Sequence, residues 1–265
     1  MNVIPLTPID LSIAASLVIV TALLSWMLKF GITFRLIIAS LRTTIQLLLI
    51  GLVLKTLFTN TNPLWLAVMA MVMLIAASRE VISRQKLKFS GRWGFGMGMT
   101  SMCVSSFSIT IMTLIVIIQV TPWYPPQYAI PLLGMLLGNT MNGIAIGIDR
   151  LTASAWELRS TIEARLMLGE RWNQAIGDIR TDSIRSGMIP IINSMSAAGL
   201  VSLPGMMTGQ ILGGSPPLEA VRYQILIMFL IAAGTGIGTI TAVWLASRRL
   251  FDERHRLRLD RIHIV

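Results

Sequence analysis

The sequence predicts an all-α, polytopic membrane protein with seven transmembrane helices, the N-terminus outside and the C-terminus inside. Three observations predict it. The 265-residue chain is 54% hydrophobic and only 13% charged, where soluble domains run near a quarter charged. Seven stretches approach the roughly 20 apolar residues needed to cross a bilayer of about 30 Å. The Lys and Arg residues gather in every second loop between those stretches, the pattern that orients polytopic proteins with their positive loops inside.

The expected spans, in order, are 9–28, 36–58, 64–78 (extending toward Val81), 95–119, 130–148, 188–212 and 223–246. They leave nothing over for a soluble domain, so one transmembrane domain over 1–265 is expected. The first ten residues carry no Lys or Arg; a secretory signal peptide needs a basic start, so the first span reads as a retained helix. Of 22 Lys and Arg residues, 19 fall in four groups: Lys29 and Arg35; Arg79 to Arg92; six arginines between 149 and 187; and six in a basic cytoplasmic tail, 247–265. Alternate loops, such as Thr121 to Ala129 with its three prolines, are nearly uncharged. The net charge of +10 is therefore an orientation signal, and no nucleic-acid partner is expected.

The one long polar stretch, 149–187, reads as a cytoplasmic elbow of two helices. Leu151, Ala155, Leu158, Ile162 and Leu166 form one apolar stripe, with Glu157, Arg159 and Glu163 turned away from it. Gly169 suits the position just past a helix end, where the chain must turn left-handed. A second helix from about Asn173 would enter the membrane near Met188. Such an elbow is either a helix resting on lipid headgroups or a docking element for a partner.

The sixth span is irregular. Gly187 and Pro190 stand at its entry and Pro204-Gly205 about two-thirds across, with Asn193, Ser194, Ser196, Gly199 and Ser202 between. Proline removes a backbone donor, and a break inside a membrane survives where it is buried in protein or lines a wet cavity. Packing kink and substrate site are both open readings. Small residues four apart (Gly94 and Gly98, Gly134 and Gly138, Gly205 and Gly209, Gly234 and Gly238) read as helix-packing positions.

Catalytic chemistry is sparse. No carboxylate lies in the centre of a span, and both histidines, His255 and His263, are in the tail. That leaves no acid/base pair, no histidine-based metal cluster and no activated nucleophile; an enzyme is not expected. The phosphate-loop pattern G-x-x-x-x-G-K-[ST] does not occur, so ATP would have to be bound elsewhere. Cys103, a lone cysteine, reads as apolar filler. Arg42 enters the second span with Gln46 on the same face, either snorkelling or lining a path. Asn139, Thr140 and Asn142 in the fifth span and Asn193 in the sixth can pair or line a path together. The 17 methionines include Met206-Met207 at the break; thioethers suit soft ions more than iron, most methionines are filler, and the metal ligands, if any, are unknown.

At the elbow the spelling becomes specific. Glu163-Ala164-Arg165, three residues, Gly169, nine residues and Ile179 resemble the EAA-type loop of bacterial ABC importer permeases, with Arg at the third position and Thr181-Asp182 where Leu-Pro is usual. Beyond it, Arg42 with Gln46-Leu47, Pro131 to Asn139 (PLLGMLLGN), Arg180 to Arg185 (RTDSIR) with Pro190, Gly199 to Gly209 (GLVSLPGMMTG) and Arg222-Tyr223-Gln224 resemble the Fet-type permease family over about residues 35 to 250. That family is the membrane half of a bacterial ABC exporter linked to iron efflux, and it is similar to plant permeases of aluminium tolerance.

The resemblance implies a permease domain in the inner membrane, paired with a separately encoded ABC ATPase and forming a homodimer surrounded by lipid. ATP and Mg would sit on the ATPase, with no cofactor in this chain. The coupling helix would be carried by Glu163, Ala164, Arg165, Gly169, Glu170 and Arg171. The pathway would be carried by Arg42, Gln46, Asn139, Asn142, Asn193, Ser194, Ser202, Pro204, Gly205, Met206 and Met207. The spans offer amides, hydroxyls and thioethers, and Arg42 repels cations, so the expected cargo is a metal chelate or another small molecule more than a bare ion. A secondary carrier or channel, and a membrane scaffold without cargo, are the alternatives.

Overall fold

The computed structural model describes residues 7–59, 62–122 and 124–264; the remaining residues of the expected 1–265 domain lie outside the described set. The chain divides into two compact units, Met1–Thr61 with Gln210–Ser215, and Asn62–Gly209 with Pro216–Val265.

In the first unit α1 (Pro8–Met27) and α2 (Thr33–Thr59) form a helical hairpin. Thr7 and Asp10 close a reciprocal cap at the start of α1, with Pro8 at its first position, where a missing N–H costs nothing. Lys29 (φ 55°) and Gly31 (φ 72°) turn the chain. Nearly every side chain of both helices is exposed, as apolar helices facing lipid should be.

The second unit holds α3 (Pro63–Ser83), capped by Asn62 whose side chain accepts from the Leu64 N–H at 2.9 Å. A short strand β1 (Leu87–Phe89) follows. The fourth span, Trp93–Ile118, is not a plain α-helix: α4 (Trp93–Met102) and α5 (Ser108–Met112) alternate with π-helical turns at Cys103–Phe107 and Thr113–Ile118. It stops at Gln119, left-handed at φ 55°. Then come α6 (Pro126–Glu157), α7 (Arg159–Met167), α8 (Trp172–Ala175), α9 (Gly177–Ala197), α10 (Gly205–Leu212), α11 (Pro217–Arg249) and β2 (Ile262–Ile264).

The protein is thus a mostly helical, multi-pass membrane protein, with six helices among the described residues long and apolar enough to cross a bilayer. The expected fifth span, 130–148, lies within a longer one: α6 runs unbroken for 32 residues, about 48 Å, so Leu151 and Ala155 belong to it and not to a separate elbow helix. The expected span at 188–212 is not one helix. α9 ends at Ala197, Ala198 is extended (ψ 129°), and α10 restarts at Gly205. The first half of α9 carries Asp178, Arg180, Asp182 and Arg185, which keeps it from being an apolar helix of spanning length.

α6, α9 and α11 form the core of this unit. Gly187 of α9 faces Gly143 of α6, and Ser183 faces Gly147, so these helices run antiparallel. A β-carbon on Gly187 would lie 2.6 Å from the Gly143 carbonyl oxygen. Close backbone approach of this kind is how helices associate in lipid. Of the four glycine pairs singled out by spacing, only Gly238 is as tightly enclosed, by Thr140 and Ser105; Gly138, Gly205 and Gly209 face open space.

The basic segments of this unit meet at one end. β1, from the loop after α3, pairs antiparallel with β2 of the tail in the register Leu87↔Ile264, Lys88↔His263, Phe89↔Ile262. The Lys86 N–H donates to Asp149 Oδ1 at 2.9 Å. Trp172 of α8 packs on Phe251 at 5.9 Å between ring centroids, and Arg261 donates to the Arg249 and Phe251 carbonyls. The tail is therefore folded against the first loop and the elbow. Val81, Phe89, Leu151, Ile162, Ile176, Leu250 and Ile262 share one buried cluster there.

Candidate functional site

The elbow is a rigid projection ending in an apolar tip. α6 carries it out of the apolar layer; the chain bends at Leu158 (φ −98°, ψ 22°) and α7 packs its Ile162 inward, fully buried. α7 closes with two crossed backbone bonds, Gly169 N–H to the Leu166 carbonyl at 3.0 Å and Glu170 N–H to the Arg165 carbonyl at 3.2 Å. That closure needs a left-handed residue, and Gly169 takes it at φ 91°. Arg165 reaches Asp178 at 2.8 Å and ties α7 to the first turn of α9.

The turn pushes Met167 and Leu168 outward, 82% and 86% exposed. Around them Glu163, Ala164, Gly169, Glu170 and Arg171 are exposed too. At a membrane-facing surface apolar exposure is ordinary. On a charged projection it marks a surface built to be covered.

The second element is the break between α9 and α10. Ala198 to Ser202 fold into a tight turn: Gly199 is left-handed (φ 83°), its N–H donates to the Ser202 carbonyl at 2.9 Å, and the Ser202 N–H donates back to the Ala197 carbonyl at 3.2 Å. The break lies beside the first third of α11 and borders a half-open cavity of about 560 Å³. Among its lining residues are Pro204 and Met207, which sequence reasoning named, and Met195, Gln224 and Met228, which it did not name as site residues.

The other sequence-predicted positions scatter. Asn193, Ser194 and Ser202 are exposed. Asn139 is exposed and spends its amide on the Met135 carbonyl at 2.8 Å. Asn142 accepts from Arg84 and so belongs to the charged end of the bundle. Gly205 and Met206 begin α10. Arg42 and Gln46 lie on α2 of the first unit, both exposed. Among the described residues no group of three or more His, Cys, Asp and Glu comes together.

Outside the bilayer layer, the folded tail carries shifted acids. Hydrogen bonds from Arg258 hold the Asp260 carboxyl down to about 2. Asp252 is also lowered, chiefly by the Arg256 backbone N–H.

This architecture, an elbow on a broken helix in a polytopic bundle, can be set beside known proteins. The model of the family described as "Uncharacterised protein family (UPF0014)" matches residues 8–251. The chain belongs to the UPF0014 family. It is 40% identical over 238 residues to UPF0014 membrane protein slr1647 of Synechocystis sp., covering 89% of this chain and 90% of that one. It is 30% identical over 257 residues to "Probable iron export permease protein FetB" of Escherichia coli, covering 97% of each. It is 30% identical over 246 residues to "Protein ALUMINUM SENSITIVE 3" of Arabidopsis thaliana, covering 92% of this chain and 88% of that one. No solved structure matches it. The Fet-type resemblance read from GLVSLPGMMTG and its companions is therefore a family relationship spanning nearly the whole UPF0014 chain.

Two features of this UPF0014 member left little trace in the sequence. Gly143, Gly147 and Gly187 form the tight seam, but only the first two have helical spacing; their closeness to Gly187 is tertiary. Gln224 looks like one polar residue near a span end, and only the fold buries it beside the break.

Proposed function

We propose that this chain is the membrane subunit of an ATP-driven exporter that moves iron, or an iron or other metal chelate, out of the cytoplasm. ATP is hydrolysed by a separate ABC ATPase, which holds the nucleotide and Mg. Two copies of the chain pair about a twofold axis in the inner membrane, with the C-terminus and elbow inside.

The observation that carries this reading is the elbow tip: Met167 and Leu168 stand exposed on a charged projection whose far side is seated in the bundle by the buried Ile162. Burying one such side chain in a groove contributes about 1.5–3 kcal/mol, and a rigid mount loses little order on docking. The relatives named for iron export and aluminium sensitivity support a metal-linked cargo. With α9 joining the elbow to the break, closure of the ATPases pulls on the elbow and reshapes the pathway around Pro204 and Gly205.

The test is copurification of an ABC ATPase with the chain from its native membrane, followed by ATPase and transport assays in proteoliposomes. Leu168→Asp is expected to weaken ATPase binding at least tenfold, since docking would bury a charge without a partner. Gly169→Trp finds nothing within 4 Å of its β position but puts a side chain on a left-handed φ of 91°, so it is expected to strain the closure of α7 locally and to uncouple hydrolysis from transport. Wild-type coupling in both variants would refute the proposal, as would full-rate transport with no ATPase present.

A further inference from the structure

We propose that the cavity at the α9–α10 break is the cargo-holding site, and that it takes a low-charge metal chelate, or a small molecule like one, with a hydrogen-bond donor on its rim. This rests on the exporter reading above and adds what the site recognises.

Four observations converge. The cavity, about 560 Å³, falls within the range of small-molecule sites, roughly 300–1,000 Å³, and is far larger than a bare ion needs. Its walls are soft and apolar, with Met195, Leu203, Met207, Met228 and Phe229 among them. Gln224 also lines it and is 8% exposed; its Oε1 is buried with no hydrogen-bond partner, so the amide must turn to meet a cargo in the cavity. A buried amide oxygen left unpaired is costly, so an arriving N–H or O–H that satisfies it gains more than the same bond made in water. Finally, the backbone turns at Gly199 and restarts at Gly205, which puts the site at the point where the helix is able to change shape.

The donor set decides the class. Iron ions prefer nitrogen and oxygen ligands, including carboxylates; among the described residues no carboxylate or imidazole lines this cavity. A charged chelate would be stranded among apolar walls with no countercharge. A nearly neutral chelate hides its ion behind its own ligands and presents a rim that thioethers and a phenyl ring can cover. Gln224 then reads one donor on that rim.

The experiment uses the full-length chain in nanodiscs, with no ATPase, and equilibrium dialysis against three probes: tris(acetohydroxamato)iron(III), which is neutral and carries N–H groups on its rim; ferrous ion alone; and silver ion alone, which seeks thioethers. Empty nanodiscs give the lipid background. The expected result is saturable binding of the chelate, tighter than either ion. Gln224→Met keeps the side-chain volume and removes the acceptor; binding should weaken about 3- to 10-fold, the net worth of one neutral hydrogen bond. Because the same change removes an orphaned oxygen, its melting temperature should not fall, which a purely structural role for Gln224 would require. Met207→Trp, which fills the cavity, should abolish saturable binding.

Tighter binding of ferrous or silver ion, unchanged chelate binding in Gln224→Met, or no saturable chelate binding at all would each overturn the proposal. None of these would touch the exporter reading, which stands or falls on the ATPase coupling of Leu168→Asp and Gly169→Trp.

Discussion

Replacing Gly187 with alanine adds one methyl group where α9 and α6 meet backbone against backbone. That β-carbon would lie 2.6 Å from the Gly143 carbonyl oxygen and 2.7 Å from Thr239 Cγ2, where an ordinary contact begins at 3.4 Å. The shortfall against the carbonyl is 0.8 Å, and the obstacle is backbone of α6, which has no rotamer to give. α6 and α9 must part, and a gap of 0.5–1 Å forfeits roughly a quarter to a half of each dispersion contact along the seam. Overpacking costs about 1–3 kcal/mol, and this site belongs at the upper end. The gain in helix propensity from Gly to Ala returns about 1 kcal/mol, leaving a net loss of about 2 kcal/mol. The assay is thermal melting of the chain in nanodiscs, with Gly236→Ala as control. There the new methyl meets only the flexible end of Met188 at 3.5 Å, so that variant should melt at or above wild type. Gly187→Ala should melt several degrees lower. If the two variants melt together, the close packing of α6 on α9 is not what holds this unit.

Two further predictions concern the charged end of the bundle. Ile176, fully buried at the corner between α8 and α9, becomes a cavity in Ile176→Ala; the expected loss is about 2–5 kcal/mol, seen as a lower melting temperature and faster proteolysis of the elbow. Asp260 has its carboxyl lowered to about 2 by hydrogen bonds from Arg258. A lowered acid stabilises the fold above its ordinary value of 3.8, and that contribution is lost as pH falls through about 2. Hydrogen exchange of the β2 amides, measured against Asp260→Asn at each pH, should show a constant advantage for wild type above pH 4 that vanishes near pH 2; an advantage persisting at the lowest pH would contradict the pairing. The pair is exposed, so the effect is small.

Much of the fold was legible because lipid is a demanding solvent. Every span must satisfy its own backbone, so length and apolarity alone marked the stretches that become α1, α2 and α3 to within a few residues, while α11 starts at Pro217, six residues before the expected 223. The irregular sixth span was legible for the same reason: Pro204-Gly205 announces a break, and the break is there. What was not legible is tertiary. Nothing in LKF or IHI marks a strand, because three residues carry no periodicity; β1 and β2 exist only because the tail returns to the first loop. No breaker residue in the sequence announces the π turns of the fourth span, the first of which packs against α11. At the candidate site, the turn at Gly169 was readable from one glycine past an amphipathic run, while the exposure of Met167 and Leu168 followed only from how α7 seats Ile162. Asn139 and Asn142 show the converse: polar residues in a span invite a pathway, but one serves its own helix and the other answers Arg84.

These pieces give the proposed mechanism a definite mechanical form. Gly187 is the midpoint of α9, ten residues from Gly177 and ten from Ala197, which is about 15 Å on either side. At the seam of Gly187 and Gly143, α9 and α6 meet backbone against backbone. A rigid helix held at its middle is a lever with equal arms. A shift of a few ångströms at the elbow, through Arg165 and Asp178, then appears at the break with similar size and opposite sense. The break does not resist, since Gly199 and Gly205 have open space at their β positions, and the cavity beside Gln224 changes volume. On this argument Gly187→Ala lowers coupling as well as stability, because it loosens the pivot, whereas Gly236→Ala leaves coupling unchanged. Were the pivot at the elbow instead, the two variants would couple alike even though they melt apart.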